Sequence, residues 1–497
     1  MKKTIYGVFL ATALVFSSCD KDYLETAPTD AVTAGNVLAN TENAMAALNG
    51  IHRLLYSQFN SQQNQGGQGS MMIMMDALGE DWVQTLGTSW WATEHNWISH
   101  RNATSGSSYN HAWYYFYYRI IANANVLING LDNATGPVAE KNMVIGEALV
   151  YRAWCHFQLV QAFGQRYDAG KTNDQLGVPL MVTATTEGQP RATVEAVYKQ
   201  INEDLDEGIK LLTGVGARPA KSHFNVAVAK GIKARVALTQ QNWALAATSA
   251  QEAIAQSGAT LMSRTQYTSG FNSIDNPEWL WGSQVQADQT NYFYSFFAYM
   301  SANFNSTAIR QNPKKINSVL YAKIRPTDIR KSLWDSTGAS IPAPPNGVKA
   351  KYGQKKFLVA NTSLSIGDVP HMRLAELYLI QAEAEARQGM SAAAATHLAT
   401  LLTARNPSYV KSTSTGQALV DEILIQRRIE LWGEGFRFLD LKRTNSALDR
   451  TGANHIPQWA WAVRTNNFKV EAGANEWQFL IPQAEINVNK AIVQNPL

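Results

Sequence analysis

The chain has 497 residues, 45% of them hydrophobic and 16% charged, which is the balance of a folded globular protein and excludes a disordered one. Its 43 basic and 39 acidic residues give a formal charge of +4, or 41 − 39 = +2 once Lys2 and Lys3 are set aside. So small an imbalance gives no reason to expect nucleic acid or an anionic surface as a partner.

At the start, Lys2 and Lys3 precede an apolar run from Ile5 to Phe16, and Ser17-Ser18-Cys19 follows. A basic start, a short apolar core and small residues before a cut make a secretory signal, too short for a membrane span. The cysteine at the cut resembles a bacterial lipoprotein signal of loose form. That resemblance implies that residues 1–18 are removed and that Cys19 becomes the lipidated first residue. Asp20, Asp22 and Glu25 follow at once, and acidic residues at that place in such lipoproteins direct export to the outer face of the outer membrane. With Cys19 lipidated, Cys155 is the sole remaining cysteine and no intramolecular disulfide can form. Residues 19–36 lack periodicity and read as an extended arm, and residues 37–497 read as a single domain.

Apolar residues at helical spacing predict helices over about 41–58, 110–131, 138–163, 193–212, 224–256 and 370–405. Ser61–Ser70 (SQQNQGGQGS) reads as a flexible loop, because no Gly-Lys-Ser/Thr follows to make it a phosphate loop. The 224–256 region divides at Asn242, with Ala227, Gly231, Ala234 and Leu238 before it and Trp243, Ala246, Ala250 and Ile254 after it. Around Gly389, Leu374, Leu377 and Ala382 precede a second alanine-rich stretch from Ser391. Helix, short turn, helix, with alanines where the pair must approach closely, is the physical content of a tetratricopeptide unit. The 138–163 and 193–212 helices suggest a third unit and the 41–58 and 110–131 helices a fourth. Residues 257–368 break the pattern, being rich in Asn, Ser, Gly, Pro and aromatics, and read as an irregular elaboration on a helical frame. The expected fold is therefore mostly α, with about four helix pairs and a loop-rich insertion.

Residues 427–443 read RRIELWGEGFRFLDLKR. Glu430 and Glu434 lie four apart, while Arg437, Asp440 and Arg443 step by three, so the charges can pair in series along one seam. Together with GEALVYRAWCHFQLVQAFG and the GVPL after it, HMRLAELYLIQAEA, and the FLIP…E…N…QNP ending, this signature resembles the SusD/RagB family of outer-membrane, nutrient-binding lipoproteins. The resemblance runs over nearly the whole mature chain. It implies a tetratricopeptide scaffold with an irregular ligand-binding face, and a SusC-like TonB-dependent barrel as partner. It also implies capture of an oligosaccharide or oligopeptide without catalysis. The alternative from another class is a lipid-anchored tetratricopeptide scaffold that binds only proteins.

Catalytic and metal motifs are wanting. There is no HExxH, His95 and His100 are five apart, off the helical pair spacing, and no G-x-S-x-G elbow or dinucleotide fingerprint occurs. No cofactor and no metal are expected. Asp76, Glu80 and Asp81 are the best acid/base candidates, and capping or ion pairing suits them better. Binding suits the 14 Trp and 19 Tyr, because aromatic faces stack on pyranose rings or hold apolar side chains. By region, the family resemblance points to Trp90, Trp91 and Trp97 and to Tyr292, Phe293 and Tyr294 as platforms, with Asn96 and Arg101 as polar contacts.

Overall fold

The computed structural model describes residues 38–60, 63–85, 90–104, 109–289, 293–456 and 468–497. Cys19, the signal and the arm lie outside these, as does Tyr292. The frame is helical. Its long elements are α1 (Thr41–Leu54), α2 (Gly67–Leu78), α3 (Tyr109–Gly130), α4 (Val138–Phe163), α5 (Val194–Leu212), α6 (Val226–Thr239), α7 (Trp243–Ser257), α8 (Leu374–Arg387), α9 (Ser391–Arg405), α10 (Gly416–Glu430) and the short α11 (Arg437–Arg443). Among the described residues no helix is long and apolar enough to cross a membrane.

Local chemistry starts these helices where the sequence places them. Side-chain oxygens of Asn40, Thr193, Asn225 and Asn242 accept the N–H of Asn43, Ala196, Val228 and Leu245, capping α1, α5, α6 and α7. From Met143 onward α4 is buried on every face, so it is the central post of the frame. It lies against α5 where two glycines meet. A Cβ on Gly146 would lie 2.9 Å from Leu212 Cγ, and one on Gly208 3.0 Å from Val150 Cγ2. α3 also packs on α4, α6 packs on α7, and α8 packs on α7, α9 and α10.

The structure departs from expectation in three places. From Gly66 onward the Gln/Gly stretch is no flexible loop. Gly67 opens α2, every residue of which is buried. The glycines are there for closeness: a Cβ on Gly66 would collide with the Tyr294 carbonyl, and one on Gly69 would lie 2.9 Å from Phe296 Cβ. Second, residues 369–373 form a buried strand that pairs antiparallel with Trp279–Ser283, and α8 begins only at Leu374. The insertion thus enters and leaves the frame through one two-stranded ladder. Within it, Lys315–Ile316, Gly353–Gln354 and Trp334–Asp335 build a small antiparallel sheet that ends on Trp82–Val83.

Third, the signature charges do not pair along one seam. α10 stops at Glu430, the chain turns through Gly433 and Gly435 (φ 80° and 85°), and α11 restarts at Arg437. A Cβ on Gly435 would lie 2.7 Å from Met72 Cα, so the turn seats directly against α2. Glu430 and Glu434 instead face Arg373, whose guanidinium reaches Glu434 at 2.7 and 2.8 Å and Glu430 at 3.1 Å. Arg405 binds Glu430 at 3.0 Å and Glu278 at 2.7 Å, and Lys356 binds Glu434 at 2.6 Å. Arg437 goes to Glu80, while Arg443 bridges Asp440 and Glu383. The network joins α8, α9 and α10 to the insertion.

Candidate ligand-binding site

The Trp90–Arg101 segment is pinned to the frame before it presents anything to solvent. Arg450, itself buried, donates to the carbonyls of His95 (2.5 Å), Gly79 (2.6 Å) and Ala77 (2.9 Å), tying the segment to the end of α2. His95 Nε2 lies 3.1 Å from His455 Nδ1, and Glu94 accepts from Ser99 Oγ at 2.5 Å and from Thr93 Oγ1 at 2.8 Å. Burial pushes the Glu94 carboxyl up to about 7, against those two hydrogen bonds.

A short helix, Ala92–His95, sits between Trp91 and Trp97, both left-handed (φ 74° and 59°). A bulky residue in that region costs about 1–3 kcal/mol, so packing must hold both tryptophans there. Trp91 is buried, edge-on to Tyr299 at 5.6 Å between centroids. Trp97 is also buried. Its indole N–H donates to the Leu78 carbonyl at 2.8 Å and its ring meets Trp477 edge-on at 4.8 Å. The left-handed turn after Trp90 therefore sends Trp91 inward and leaves Trp90 43% exposed.

Across from Trp90 stands Phe293, 53% exposed. The two line one cavity of about 370 Å³ with Tyr299 and Phe304 as apolar wall and Gln63, Ser306, Thr307 and Arg310 as polar rim. Trp90 meets Tyr299 edge-on at 6.1 Å. Tyr299 is fixed on the helix Phe296–Met300, whose start is capped by Ser295 Oγ accepting the Ala298 N–H at 3.1 Å. The Arg310 guanidinium is oriented by Asn305 Oδ1 at 2.9 Å and Thr307 Oγ1 at 3.2 Å. Two exposed rings over a wall of rings, with amide, hydroxyl and guanidinium groups at the edge, can stack on an apolar face and read the polar groups around it.

Several nominated residues lie elsewhere, and their assignment as ligand contacts is corrected. Trp91, Trp97, Asn96 and Tyr294 are buried, Trp97 within the aromatic core beside Phe438 and Trp477. Arg101 is occupied by backbone carbonyls of the C-terminal segment, Gln478 at 2.7 Å, Asn475 at 3.1 Å and Pro496 at 2.7 Å, so it clamps the tail. Tyr299, Phe304, Gln63 and Arg310 were missed. Tyr299 and Phe304 lie within the aromatic stretch 293–304 but are buried behind the exposed rings, so no outward-facing pattern marks them. Gln63 and Arg310 carry no sequence signal of their own.

The acid/base candidates are structural. Asp76 accepts the Gly435 N–H at 2.8 Å, and burial pushes its carboxyl up to about 8. Glu80 binds Arg437 at 2.5 Å, and Asp81 binds Arg428 at 2.5 and 3.0 Å. All three fasten the end of α2 to the C-terminal signature. Cys155 is fully buried, and burial pushes its thiol up, the condition of a core filler.

Two family models cover nearly the whole chain. Residues 24–238 match one described as starch-binding and associating with the outer membrane, and residues 260–497 match that of the SusD family. The chain belongs to the SusD family. Its members are non-catalytic binding proteins, in keeping with the structural use of Asp76, Glu80 and Asp81. Among solved structures, a SusD-like carbohydrate-binding protein from Bacteroides vulgatus is 26% identical, with a TM-score of 0.78 over 91% of this chain and 97% of its own. A SusD superfamily protein from Bacteroides thetaiotaomicron is 23% identical, with a TM-score of 0.79 over 92% of this chain and 100% of its own. A laminarin-binding SusD-like protein is 22% identical, with a TM-score of 0.70 over 92% of this chain and 99% of its own. No curated relative matches the chain.

Proposed function

We propose that this SusD-family protein is a lipid-anchored protein of the outer membrane that captures an oligosaccharide at the cell surface and passes it to a SusC-like TonB-dependent barrel. The observation that carries the reading is the pair of exposed rings, Trp90 and Phe293, facing one cavity with Tyr299 behind them. Solvent-exposed aromatics held by a rigid frame are costly to hydrate and suited to stacking on a pyranose face. The family's description as starch-binding and outer-membrane-associated, and a carbohydrate-binding relative of like fold, favour glycan over peptide. The lipid anchor at Cys19 rests on the leader pattern, and the barrel partner rests on the family resemblance. In the same reading α6/α7 and α8/α9 are tetratricopeptide units, α4/α5 and α1/α3 two more, and residues 37–497 act as one domain.

Calorimetric titration of the chain from Asp20 onward with a panel of glycans and oligopeptides tests the proposal. Saturable binding to a glycan, weakened at least tenfold by Trp90→Ala and by Phe293→Ala, is the expected result. Binding that is indifferent to both substitutions, or selective for peptides, would overturn the site or the ligand class respectively.

A further inference from the structure

His52, Glu147 and His223 come from three distant parts of the chain and meet in one buried cluster. His52 lies near the end of α1, Glu147 in the third turn of the central helix α4, and His223 just before α6. Their lone-pair atoms face one another. His52 Nε2 lies 3.1 Å from His223 Nδ1, His223 Nδ1 lies 2.9 Å from Glu147 Oε1, and His52 Nε2 lies 3.6 Å from Glu147 Oε2. Zinc bound tetrahedrally at about 2.0–2.1 Å holds its ligand atoms roughly 3.3 Å from one another. One ligand atom from each of the three residues lies within 4.8 Å of the other two, and the two nitrogens are already at the spacing of one edge of a zinc tetrahedron, so a small rotation of the carboxylate would complete the face.

We propose that these three side chains form a divalent-metal site, with zinc the ion that two imidazoles and one carboxylate fit best, clamping α1 to α4 and to the start of α6. The surroundings orient the ligands as metal sites require. The Tyr151 hydroxyl lies 2.6 Å from His52 Nδ1, which turns Nε2 toward the other two ligands. The Phe224 N–H donates to Glu147 Oε2 at 2.9 Å and fixes the carboxylate plane. Arg218 donates to the His223 carbonyl at 2.9 Å and places a positive charge near Glu147, so the site binds more weakly than an all-thiolate zinc site. Entry is provided by a cavity of about 400 Å³ that His52 lines with Tyr56 and Ser222 and whose rim includes the exposed Asn49, Gly50 and Arg53. A water reaching the ion through this cavity would complete the tetrahedron. Positions 52, 147 and 223 form no spacing motif, which is why the sequence gives no sign of the site. The proposal is independent of the glycan reading.

The test uses the tag-free chain from Asp20 onward, which retains every described residue, stripped with chelator and titrated with Zn²⁺ and with Co²⁺. The expected result is uptake of one equivalent of zinc, a melting temperature that rises with zinc concentration, and the intense visible absorption of tetrahedral cobalt. Glu147→Gln keeps the side-chain volume and the acceptor for Phe224, and should weaken zinc binding at least thirtyfold. His111→Gln, outside the cluster, should leave it unchanged. Absence of stoichiometric uptake would overturn the proposal and leave a proton shared between the rings. Wild-type affinity in both Glu147→Gln and His223→Asn would place the ion elsewhere and overturn it equally. Should those variants fail to fold, the cobalt spectrum of the unaltered chain decides, an octahedral one refuting the site.

Discussion

Replacing Glu430 by Gln changes one oxygen for an NH2 group, yet the structure assigns it a large cost. Glu430 is fully buried at the last turn of α10. One carboxylate oxygen accepts from Arg373 at 3.1 Å and Arg405 at 3.0 Å, and the other accepts from Arg405 at 3.2 Å and Arg330 at 3.4 Å. Burial alone would raise this carboxyl, but the guanidiniums of Arg405, Arg373 and Arg330 reverse that and hold it well below the usual carboxylate range. The surrounding cluster contains Arg330, Lys356, Arg373 and Arg405 against Asp328, Glu278, Glu430 and Glu434, four charges of each sign. Glu430→Gln leaves one uncompensated positive charge out of water and turns amide hydrogens toward guanidinium donors.

Breaking a buried pair from one side costs about 3–5 kcal/mol. With an unfolding entropy of roughly 2.1 cal/mol/K per residue over about 450 folded residues, a loss of 4 kcal/mol lowers the melting temperature by roughly 4 °C. Urea unfolding followed by tryptophan fluorescence, with calorimetry beside it, measures both. Arg405→Met added to Glu430→Gln restores neutrality, and the double variant should be at least about 1 kcal/mol more stable than the sum of the single losses. A Glu430→Gln protein within about 1 kcal/mol of wild type would refute the argument, because it would mean that water reaches the cluster and screens it.

Trp97→Ala removes a core ring and its hydrogen bond to Leu78, and should cost about 3–5 kcal/mol in urea unfolding, whereas Trp90→Ala should stay within about 1 kcal/mol of wild type. Asp76 supplies a pH signature. Its folded carboxyl is raised by burial from 3.8 to about 8, so the stability it contributes is complete below pH 4 and is lost as pH climbs through 8. At about 1.4 kcal/mol per unit the full swing is on the order of 5 kcal/mol. Asp76→Asn retains an acceptor for the Gly435 N–H and should flatten that part of the stability–pH curve; an unchanged slope between pH 4 and 8 would show that Asp76 is ionised in the fold. Lys442→Met strips the donor shared by the carbonyls of Gln161 (2.6 Å), Gly164 (2.8 Å) and Trp477 (2.8 Å) at the C-terminus of α4, and should destabilise by about 2–4 kcal/mol in the same assay.

The helices were legible because their signals are local. The apolar spacing of Ala44, Leu48 and Ile51 in α1, and the Asn242 that caps α7, lie within one or two turns of what they determine. What was not legible depends on contacts far along the chain. Gly66 and Gly69 look like part of a linker until Tyr294 and Phe296 are laid against them, and then glycine is the residue that lets α2 seat there. The charges of the C-terminal signature obey helical spacing, but Gly433 and Gly435 interrupt the helix; buried partners at 356, 373 and 405 take Glu430 and Glu434, and only Asp440 keeps its neighbour three residues on, Arg443.

The same distinction governs the site. A Trp-Trp pair announces an aromatic cluster, but which of the two faces a ligand is set by the left-handed turn at Trp91 and by Tyr299, more than two hundred residues later in the chain. Aromatic composition was therefore a sound guide to the kind of surface and a poor one to its members. The buried charge network explains how the exposed rings can be held still. Glu278 and Arg373 flank the two-stranded ladder through which the insertion joins the frame, and the insertion carries Phe293, Tyr299 and Phe304. A loss of that network should loosen the wall of the cavity before it unfolds the helices. Glu430→Gln should then weaken glycan binding at temperatures where the far-ultraviolet helix signal is still that of the native protein, and unchanged affinity up to global unfolding would show that the cavity wall is anchored by its own packing instead.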